Sequence, residues 1–234
     1  MTISAETVPY LESFKYLDSK DPLKKFRKRF YIPKDESGNP FVYLCGNSLG
    51  LQPDTAEQYV QDEMNAWKQL GVDAHLKAKR PWLPYHEFLT SNSAELVGAR
   101  DAEVVVMNSL TVNLHLLMAS FYCPKGKRKK ILIENRAFPS DRYAVQSQLK
   151  FHGYHQNEDL LVVHPDQGEN ISMTAIMNCL DDYGEEIALV LLGGVNYYSG
   201  QAFDMAAITD KAQNYGCRVG FDLAHATGNL KMNL

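Results

Sequence analysis

The residues best suited to chemistry in this 234-residue chain follow apolar segments that are typical of buried strands. Asp222 ends the segment Arg218–Asp222, and His225 follows shortly after it. A carboxylate with apolar neighbours needs a partner, because burying it alone is costly. A protonated pyridine nitrogen would be such a partner, and pairing with Asp222 would keep the ring cationic and electron-withdrawing. The alternative is a turn-capping Asp222 beside a structurally satisfied His225.

Polar residues that suit an anion precede the predicted helix Val112–Tyr122. The stretch Asn108-Ser-Leu-Thr111 places the hydroxyls of Ser109 and Thr111 where the helix exposes its first backbone N–H groups. Such N–H groups bind phosphate readily. The pattern therefore indicates either a phosphate cradle or an ordinary helix cap.

A third candidate group lies between a predicted strand and the helix that follows it. Phe138 is an aromatic side chain at this junction and could stack on a planar ring. Pro139 suits the first position of a helix. Ser140 and Asp141 either cap that helix or hydrogen-bond a ligand.

From residue 103 onward, apolar strands alternate with amphipathic helices. The predicted strands are Glu103–Met107, Lys130–Ile133, Leu160–Val163, Ile187–Leu192 and Arg218–Asp222. The predicted helices are Val112–Tyr122, Ser140–Phe151, Met173–Tyr183 and Asp204–Tyr215. Strands that are apolar on both sides predict an α/β fold, with a mainly parallel sheet and helices on both faces. Such sheets bind ligands at the carboxyl ends of their strands, where the candidate residues lie.

The first part of the chain is charged and less regular. Residues 1–53 are predicted to form a helical arm and link, and residues 54–234 the N-terminal part of a large α/β domain. Within the arm we expect an amphipathic helix at Asp21–Phe30 and a short strand at Phe41–Leu44. The next helix is predicted to bury one apolar face, which consists of Ala56, Tyr59, Val60, Met64 and Trp67.

Composition and charge argue against several classes of protein. The net charge of −4 disfavours a nucleic-acid-binding surface, and the basic run Lys125–Lys130 is interpreted as a solvated turn. The four cysteines form no CxxC pair, so neither a zinc cluster nor a redox motif is indicated. We expect a cytoplasmic protein, because a signal-peptide pattern and a run of about 20 apolar residues are both lacking.

Two other motifs suggest different chemistry. Gly46-Asn-Ser-Leu-Gly50 matches the G-x-S-x-G pattern of a serine-hydrolase elbow, with Ser48 as the nucleophile. An elbow requires a strand, a turn and a helix in direct succession, and the sequence Leu-Gln-Pro after this motif does not favour that. His152, His155 and His164 could ligate a metal, but they lack a carboxylate motif. They are interpreted as surface histidines, and no metal site is predicted.

Several motifs, taken in order, resemble those of the kynureninases. They are Tyr43-Leu-Cys-Gly-Asn-Ser-Leu-Gly-Leu-Gln-Pro53, Lys79-Arg-Pro-Trp82, Met107-Asn-Ser-Leu-Thr-Val-Asn-Leu-His-Leu-Leu117, Ala137-Phe-Pro-Ser-Asp141 and Gly220-Phe-Asp-Leu-Ala-His-Ala226. The resemblance implies the large domain of fold type I, the aspartate aminotransferase fold. It also implies the cofactor of that fold, pyridoxal 5'-phosphate (PLP).

The resemblance assigns roles to the candidate residues. The cofactor-binding residues would be Leu110, Thr111, Phe138, Pro139, Ser140, Asp141, Asp222 and His225. Leu110 and Thr111 would hold the phosphate, and Phe138 would stack on the pyridine ring. Asp222 would pair with the ring nitrogen, with Asp141 close by.

The resemblance also implies a reaction, the hydrolytic Cβ–Cγ cleavage of L-kynurenine or 3-hydroxy-L-kynurenine. The products would be an anthranilate and L-alanine, within tryptophan catabolism and NAD biosynthesis. Ser48 and His75 would contact the substrate, so Ser48 would be a binding group. The family builds its sites at a dimer interface, so a homodimer is expected.

Two departures from the family pattern bear on this expectation. Gly193 stands where many relatives have serine, and the loss of that hydroxyl would remove one possible phosphate contact. The Schiff-base lysine of the family, and the C-terminal small domain, are expected beyond Leu234, so no catalytic residue is assigned and Lys231 is not a candidate. The alternatives are a non-catalytic truncated isoform or a pseudoenzyme that pairs with full-length subunits, and a serine hydrolase that uses Ser48.

Overall fold

The computed structural model describes residues 8–166 and 168–234. The chain divides into two compact units, Met1–Leu83 and Pro84–Leu234. This division comes later in the chain than the predicted end of the arm at residue 53. Residues 1–7 of that arm lie outside the described residues. None of the helices in the described ranges is long and apolar enough to cross a membrane.

The first unit is mainly helical. Its elements are helix α1 (Val8–Lys20), a 3-10 helix (Lys24–Arg29), α2 (Ala56–Leu70), a 3-10 turn (Gly71–Asp73) and α3 (Ala74–Lys77). The segment after α3 is fastened to α2, because Arg80 Nε donates to Glu63 Oε1 at 2.9 Å and Arg80 Nη2 donates to Asp62 Oδ2 at 3.1 Å. The indole Nε1 of Trp82 donates to Glu63 Oε2 at 2.8 Å.

Two predictions for this unit are wrong. The expected helix Asp21–Phe30 is a shorter 3-10 helix, and Phe41–Leu44 has no regular secondary structure. Val42 and Leu44 are exposed, so apolar character alone did not produce a strand there. A strand also needs a hydrogen-bonded neighbour, and none of the described strands pairs with this segment.

The apolar face of α2 is also not buried, contrary to the prediction. Four of its side chains are more than half exposed, namely Tyr59, Val60, Met64 and Trp67. The helical spacing is as predicted, since α2 spans Ala56–Leu70. The apolar side chains therefore share one face of α2, but no described residues cover that face.

The second unit is an α/β structure. Its elements are a 3-10 helix (Tyr85–Leu89), α4 (Thr90–Val97), a 3-10 turn (Asp101–Glu103), α5 (Leu110–Phe121), β1 (Lys130–Glu134), α6 (Pro139–Phe151), α7 (Gln156–Asp159), β2 (Leu160–Val163), α8 (Met173–Tyr183), β3 (Ile187–Gly193), α9 (Met205–Asn214) and β4 (Arg218–Asp222). The strands form one parallel sheet in the order β2-β1-β3-β4. Four predicted strands and four predicted helices are thereby confirmed, with ends shifted by at most a few residues.

The prediction of a strand at Glu103–Met107 is wrong. Residues 104–107 have no regular secondary structure, and Val105 and Met107 are exposed. The segment has the β-branched residues that strands favour, but it pairs with none of the described strands.

The sheet has helices on both faces, as its sequence predicted; its central strands β1 and β3 are buried, and its outer strands β2 and β4 are only partly buried. One face packs against α8 and α9, through a cluster that includes Leu132, Val190, Leu192, Ile176, Leu180 and Ile208. The other face packs against α5 and α6, through a cluster that includes Ile131, Ile133, Leu189, Leu191, Met118, Val145 and Leu149. Each fully buried side chain of this size contributes about 1.5–3 kcal/mol of hydrophobic stabilisation.

The strand order positions the site. The chain passes from β1 outward to β2 and then returns to β3 on the other side of β1. The order therefore reverses between β1 and β3, and parallel sheets bind ligands outside the carboxyl ends of strands at such a reversal. The residues that end β1, β3 and β4 are Glu134, Gly193 and Asp222.

Candidate functional site

Asp222 is a half-buried carboxylate held by the turn that follows β4. Its Oδ1 accepts a hydrogen bond from the Ala224 N–H at 2.8 Å. Its backbone oxygen accepts the N–H of Gly194 at 2.7 Å, which joins the ends of β3 and β4. The carboxylate is thus fixed at the edge of the sheet where the strand order predicts a ligand.

Asp141 reaches the same place from the first turn of α6. Phe138 caps that helix, Pro139 is its first residue as predicted, and Asp141 is buried. The Ser140 hydroxyl donates to Asp141 Oδ1 at 3.2 Å. The pKa of Asp141 is raised to about 7, mainly by burial. A hydrogen bond with Asp222 and the charge of that carboxylate contribute further. Two carboxyl groups that are hydrogen-bonded to each other share a proton, because two ionised carboxylates in contact would repel each other.

Glu134 is a third carboxyl group here, and sequence reasoning missed it. The side chain is 4% exposed. Its Oε1 accepts the Gly193 N–H at 3.2 Å, whereas the buried Oε2 has no hydrogen-bond partner. Burial is the main cause that raises the pKa of Glu134, and the charge of Asp222 adds to it. The available signal was a single acidic residue at the carboxyl end of an otherwise apolar strand.

Three rings cluster beside these carboxyl groups. Phe138 and Tyr197 meet edge to face, with centroids 5.0 Å apart. His225 lies 6.3 Å from Phe138 and 6.1 Å from Tyr197, both measured between ring centroids. The sequence suggested Phe138 and His225 as ring neighbours and did not select Tyr197. Tyr197 belongs to the same cluster.

The carboxyl groups and rings enclose one small cavity. We call it the carboxylate cavity, and its lining is Glu134, Phe138, Asp141, Gly193, Val195, Tyr197, Asp222 and His225. Its volume is about 10 Å³, which is close to the minimum that holds one water molecule. A larger ligand therefore contacts these residues from outside the cavity or displaces one of the rings.

A larger cavity of about 530 Å³ lies next to it. We call it the apolar cavity, and its lining includes Leu110, Asn113 and Leu114 of α5, together with Leu191, Phe221, Asp222 and Leu223. Pockets of this size are typical for small-molecule ligands. Asp222 lines both cavities, so it is the residue that connects them.

The amino end of α5 borders the apolar cavity through Leu110. Ser109 occupies the N-cap position of α5, and its side chain makes no capping hydrogen bond. Leu110 and Thr111 are the first two residues of α5, which is the end of a helix that attracts anions. Asn113 Oδ1 is buried nearby without a hydrogen-bond partner.

Two loops beside the site are tied together by polar contacts. The buried Asn196 donates from Nδ2 to the Arg136 carbonyl at 3.3 Å, and its Oδ1 accepts the Tyr198 N–H at 3.0 Å. Arg136 has a φ of 55°, which is uncommon outside glycine, and its guanidinium lies 3.8 Å from the centroid of the Tyr198 ring. These contacts hold the Phe138 and Tyr197 loops in a defined geometry.

Ser48 and His75, the predicted substrate residues, belong to the first unit. Ser48 lies in an exposed turn whose N–H groups bond to the Cys45 carbonyl, and His75 meets Trp82 edge to face at 5.4 Å. A hydrolase elbow does not form at Ser48, because no strand leads into the turn and the next helix begins at Ala56. Within residues 8–166 and 168–234, no three His, Cys, Asp or Glu side chains lie close enough together to hold a metal ion.

No model of a known protein family matches the chain, whereas individual curated sequences do. A curated kynureninase of Myxococcus xanthus is 53% identical over 97% of this chain and 55% of its own length. One from the animal Nematostella vectensis is 47% identical over 94% of this chain and 50% of its own length. The chain spans about half the length of the curated relatives it matches.

Solved structures show the same fold at low identity. A mutant of C-DES with glycine covalently linked to its PLP cofactor superposes with a TM-score of 0.66, at 16% identity, over 90% of this chain and 51% of that one. The cysteine desulfurase of Thermococcus onnurineus gives a TM-score of 0.54 at 14% identity, over 89% of this chain and 47% of that one. The predicted fold type I α/β architecture is thereby confirmed.

Proposed function

We propose that this chain, which is homologous to the kynureninases over about half of their length, forms the ring-binding part of a PLP site. The observation that supports this most is the Asp141–Asp222 pair at the carboxyl edge of a fold type I sheet. The reaction that the site would serve is the hydrolytic Cβ–Cγ cleavage of L-kynurenine or its 3-hydroxy form. The products are an anthranilate and L-alanine.

The charges around Asp222 fit a cationic ring. Asp141 and Glu134 line the carboxylate cavity with Asp222, and His225 is the only residue of this lining that can become cationic. No lysine or arginine belongs to this lining, so a carboxylate of Asp222 has no permanent cation beside it there. An N–H⁺ group of a pyridine ring would supply that cation, with Asp222 as the acceptor and Asp141 as its neighbour.

The rest of the site fits the other parts of the cofactor. The Leu110 and Thr111 N–H groups, at the uncapped start of α5, would bind the phosphate. Phe138 and His225 would lie beside the ring. Pro139 and Ser140 hold the helix start that carries Asp141.

A bound PLP would supply an electron sink for the bond cleavage. The role of Asp222 is to keep the ring nitrogen protonated, which maintains that sink. Ser48 and His75 are proposed to bind the aryl-ketone end of the substrate. A homodimer in the cytoplasm, acting in tryptophan catabolism and NAD biosynthesis, completes the proposal.

The proposal is tested in two steps. The purified chain is titrated with PLP, and binding is followed by the quenching of its tyrosine and tryptophan fluorescence. Release of fluorescent anthranilate from L-kynurenine is then measured with the gene product that carries this sequence, with and without PLP. PLP-dependent anthranilate release supports the proposed reaction. Ester hydrolysis that is indifferent to PLP and lost in Ser48→Ala would instead favour the hydrolase alternative.

A further inference from the structure

We propose that Glu134 is a positioning residue of this site, a neutral carboxylic acid that fixes the end of β3 and leaves Asp222 as the ionised carboxylate. Its effect on the cofactor rests on the proposed function. Its protonation and its contact with β3 are properties of the chain alone.

The position of Glu134 is specific. It ends β1, and its Oε1 accepts the N–H of Gly193, the residue that ends β3. This hydrogen bond therefore spans the two strands between which the strand order reverses. The contact is close, because a Cβ placed on Gly193 would lie 3.2 Å from Glu134 Oε1 and 3.1 Å from the Val195 carbonyl oxygen. Glu134 thus sets the distance between the strand ends that frame the ligand crevice.

The surroundings of Glu134 supply backbone hydrogen bonds but no cation to balance a negative charge. Its buried Oε2 has no hydrogen-bond partner among the described residues. The titratable groups that line the cavity with it are Asp141 from α6, Asp222 from β4, Tyr197 from the β3–α9 loop and His225 after β4. Gly193 of β3 and Val195 of the loop that follows contribute no charge. Burying an ionised carboxylate in this position would be more costly than burying the neutral acid.

The raised pKa of Glu134 agrees with this geometry, since burial is its main cause. The protonation state of Glu134 also affects Asp141 and Asp222. A second fixed negative charge would repel the charge on Asp222 and raise the proton affinity of the Asp141–Asp222 pair. A neutral Glu134 removes that repulsion. Asp222 can then accept a hydrogen bond from a cationic ring nitrogen, while Asp141 keeps the shared proton.

The protonation state is measured directly. The chain is labelled with ¹³C at the glutamate side-chain carboxyl carbon, and the pH titration is followed by NMR. Glu134→Gln identifies the Glu134 signal, and Glu95→Gln, at an exposed position of α4, is the matched control. We expect the Glu134 signal to remain that of a protonated acid at pH values where exposed carboxyl groups are ionised. A Glu134 signal that titrates in the range of exposed carboxyl groups would overturn the proposal.

The positioning role is measured by PLP affinity. Glu134→Gln keeps a neutral side chain of the same shape and a carbonyl oxygen for the Gly193 N–H, so its PLP affinity should stay within about twofold of the wild type. Glu134→Leu leaves that N–H unsatisfied and should bind PLP about tenfold more weakly. Circular dichroism confirms that each variant is folded. Equal, large losses in both variants would show that the charge is required and would refute a neutral Glu134.

The two hypotheses fail differently. If the wild-type chain does not bind PLP, the proposed function is contradicted. The titration of Glu134 then decides the inference by itself, because it needs no cofactor. If PLP binds but Glu134 is ionised, the inference is wrong and the proposed function stands.

Discussion

Asp141, in the first turn of α6, shares a hydrogen bond with Asp222 at the end of β4. Burial and this neighbour raise the pKa of Asp141 to about 7, so the pair changes its charge close to neutral pH. Exposed aspartates are ionised throughout that range. The free energy of unfolding and the PLP affinity of the second unit should therefore change with pH. The charge of this pair should determine that change.

Asp141→Asn tests the stability part. The carboxyl binds its proton more tightly in the folded than in the unfolded chain, where its pKa is near the usual 3.8. The stabilisation from neutral Asp141 is fully present below that value and is lost as the pH rises through about 7. Asparagine does not ionise, so the variant should gain stability relative to wild type between acidic and neutral pH. Urea unfolding at about pH 5 and about pH 8 measures this difference.

The matched control for that experiment is Asp210→Asn on α9, which replaces an exposed aspartate. Its stability relative to wild type should not change over the same interval. A constant difference between Asp141→Asn and wild type at both pH values would contradict the raised pKa of Asp141.

Asp222→Asn tests the ligand part. A neutral amide does not hold a ring nitrogen protonated, so we expect PLP to bind about tenfold more weakly, because a hydrogen bond between charged groups is lost. Fluorescence titration measures the dissociation constant. Asp210→Asn should bind like the wild type. An unchanged dissociation constant in Asp222→Asn would refute the role proposed for this carboxylate.

Sequence patterns predicted the sheet well, because its strands are both apolar and paired. Ile187–Gly193 and Arg218–Asp222 lie where the alternation of elements placed them. The segments Phe41–Leu44 and Glu103–Met107 have similar composition but pair with no described strand. The composition of a segment shows only that its side chains suit a strand. Whether a strand forms also depends on a second segment, distant in sequence, with which it can pair.

The candidate site was predictable to a similar degree. Phe138, Asp141, Asp222 and His225 were selected from the sequence, and the structure places all four around the carboxylate cavity. Glu134 was not selected, because the predicted strand ended at Ile133. Its importance comes from burial and from the Gly193 contact, which depend on the register between β1 and β3 rather than on any local motif.

Arg128→Ala should destabilise the second unit strongly. The basic run around it was predicted to be a solvated turn, and Lys127 is indeed exposed, but Arg128 is partly buried. Its guanidinium donates to the carbonyls of Gly184 and Ile187 at 2.9 and 2.8 Å and to that of Tyr215 at 2.6 Å.

Alanine leaves those carbonyl groups without this donor, so we expect a loss of about 2–3 kcal/mol in the free energy of unfolding. Urea denaturation measures it. Lys127→Ala, which removes only an exposed ion pair with Glu185, serves as the control and should have a small effect. Equal effects of the two substitutions would contradict a structural role for Arg128.

Gly184→Ala tests the packing where α8 ends. An added Cβ would lie 2.5 Å from the Leu180 carbonyl oxygen and closer still to Tyr215 Cγ. Relief of this overlap should cost about 1–3 kcal/mol of stability. Gly220→Ala in β4 is the control, since its Cβ would meet only Leu191 Cδ1 at 3.7 Å. A variant of Gly184 that unfolds at the same urea concentration as Gly220→Ala would contradict the expected overlap.

Strand β4 has a hydrogen-bonded neighbour on one side only, because β3 is its single partner in the described sheet. Successive amides of a parallel strand point alternately to its two sides. Half of the amides of β4 are therefore held by β3, and the other half face away from it. In deuterated water, the two sets should exchange at clearly different rates along a strand of five residues. Asp222, whose carboxylate is proposed to bind the ring nitrogen, thus ends a strand that β3 protects from exchange on one side. On the other side, no described strand pairs with its amides.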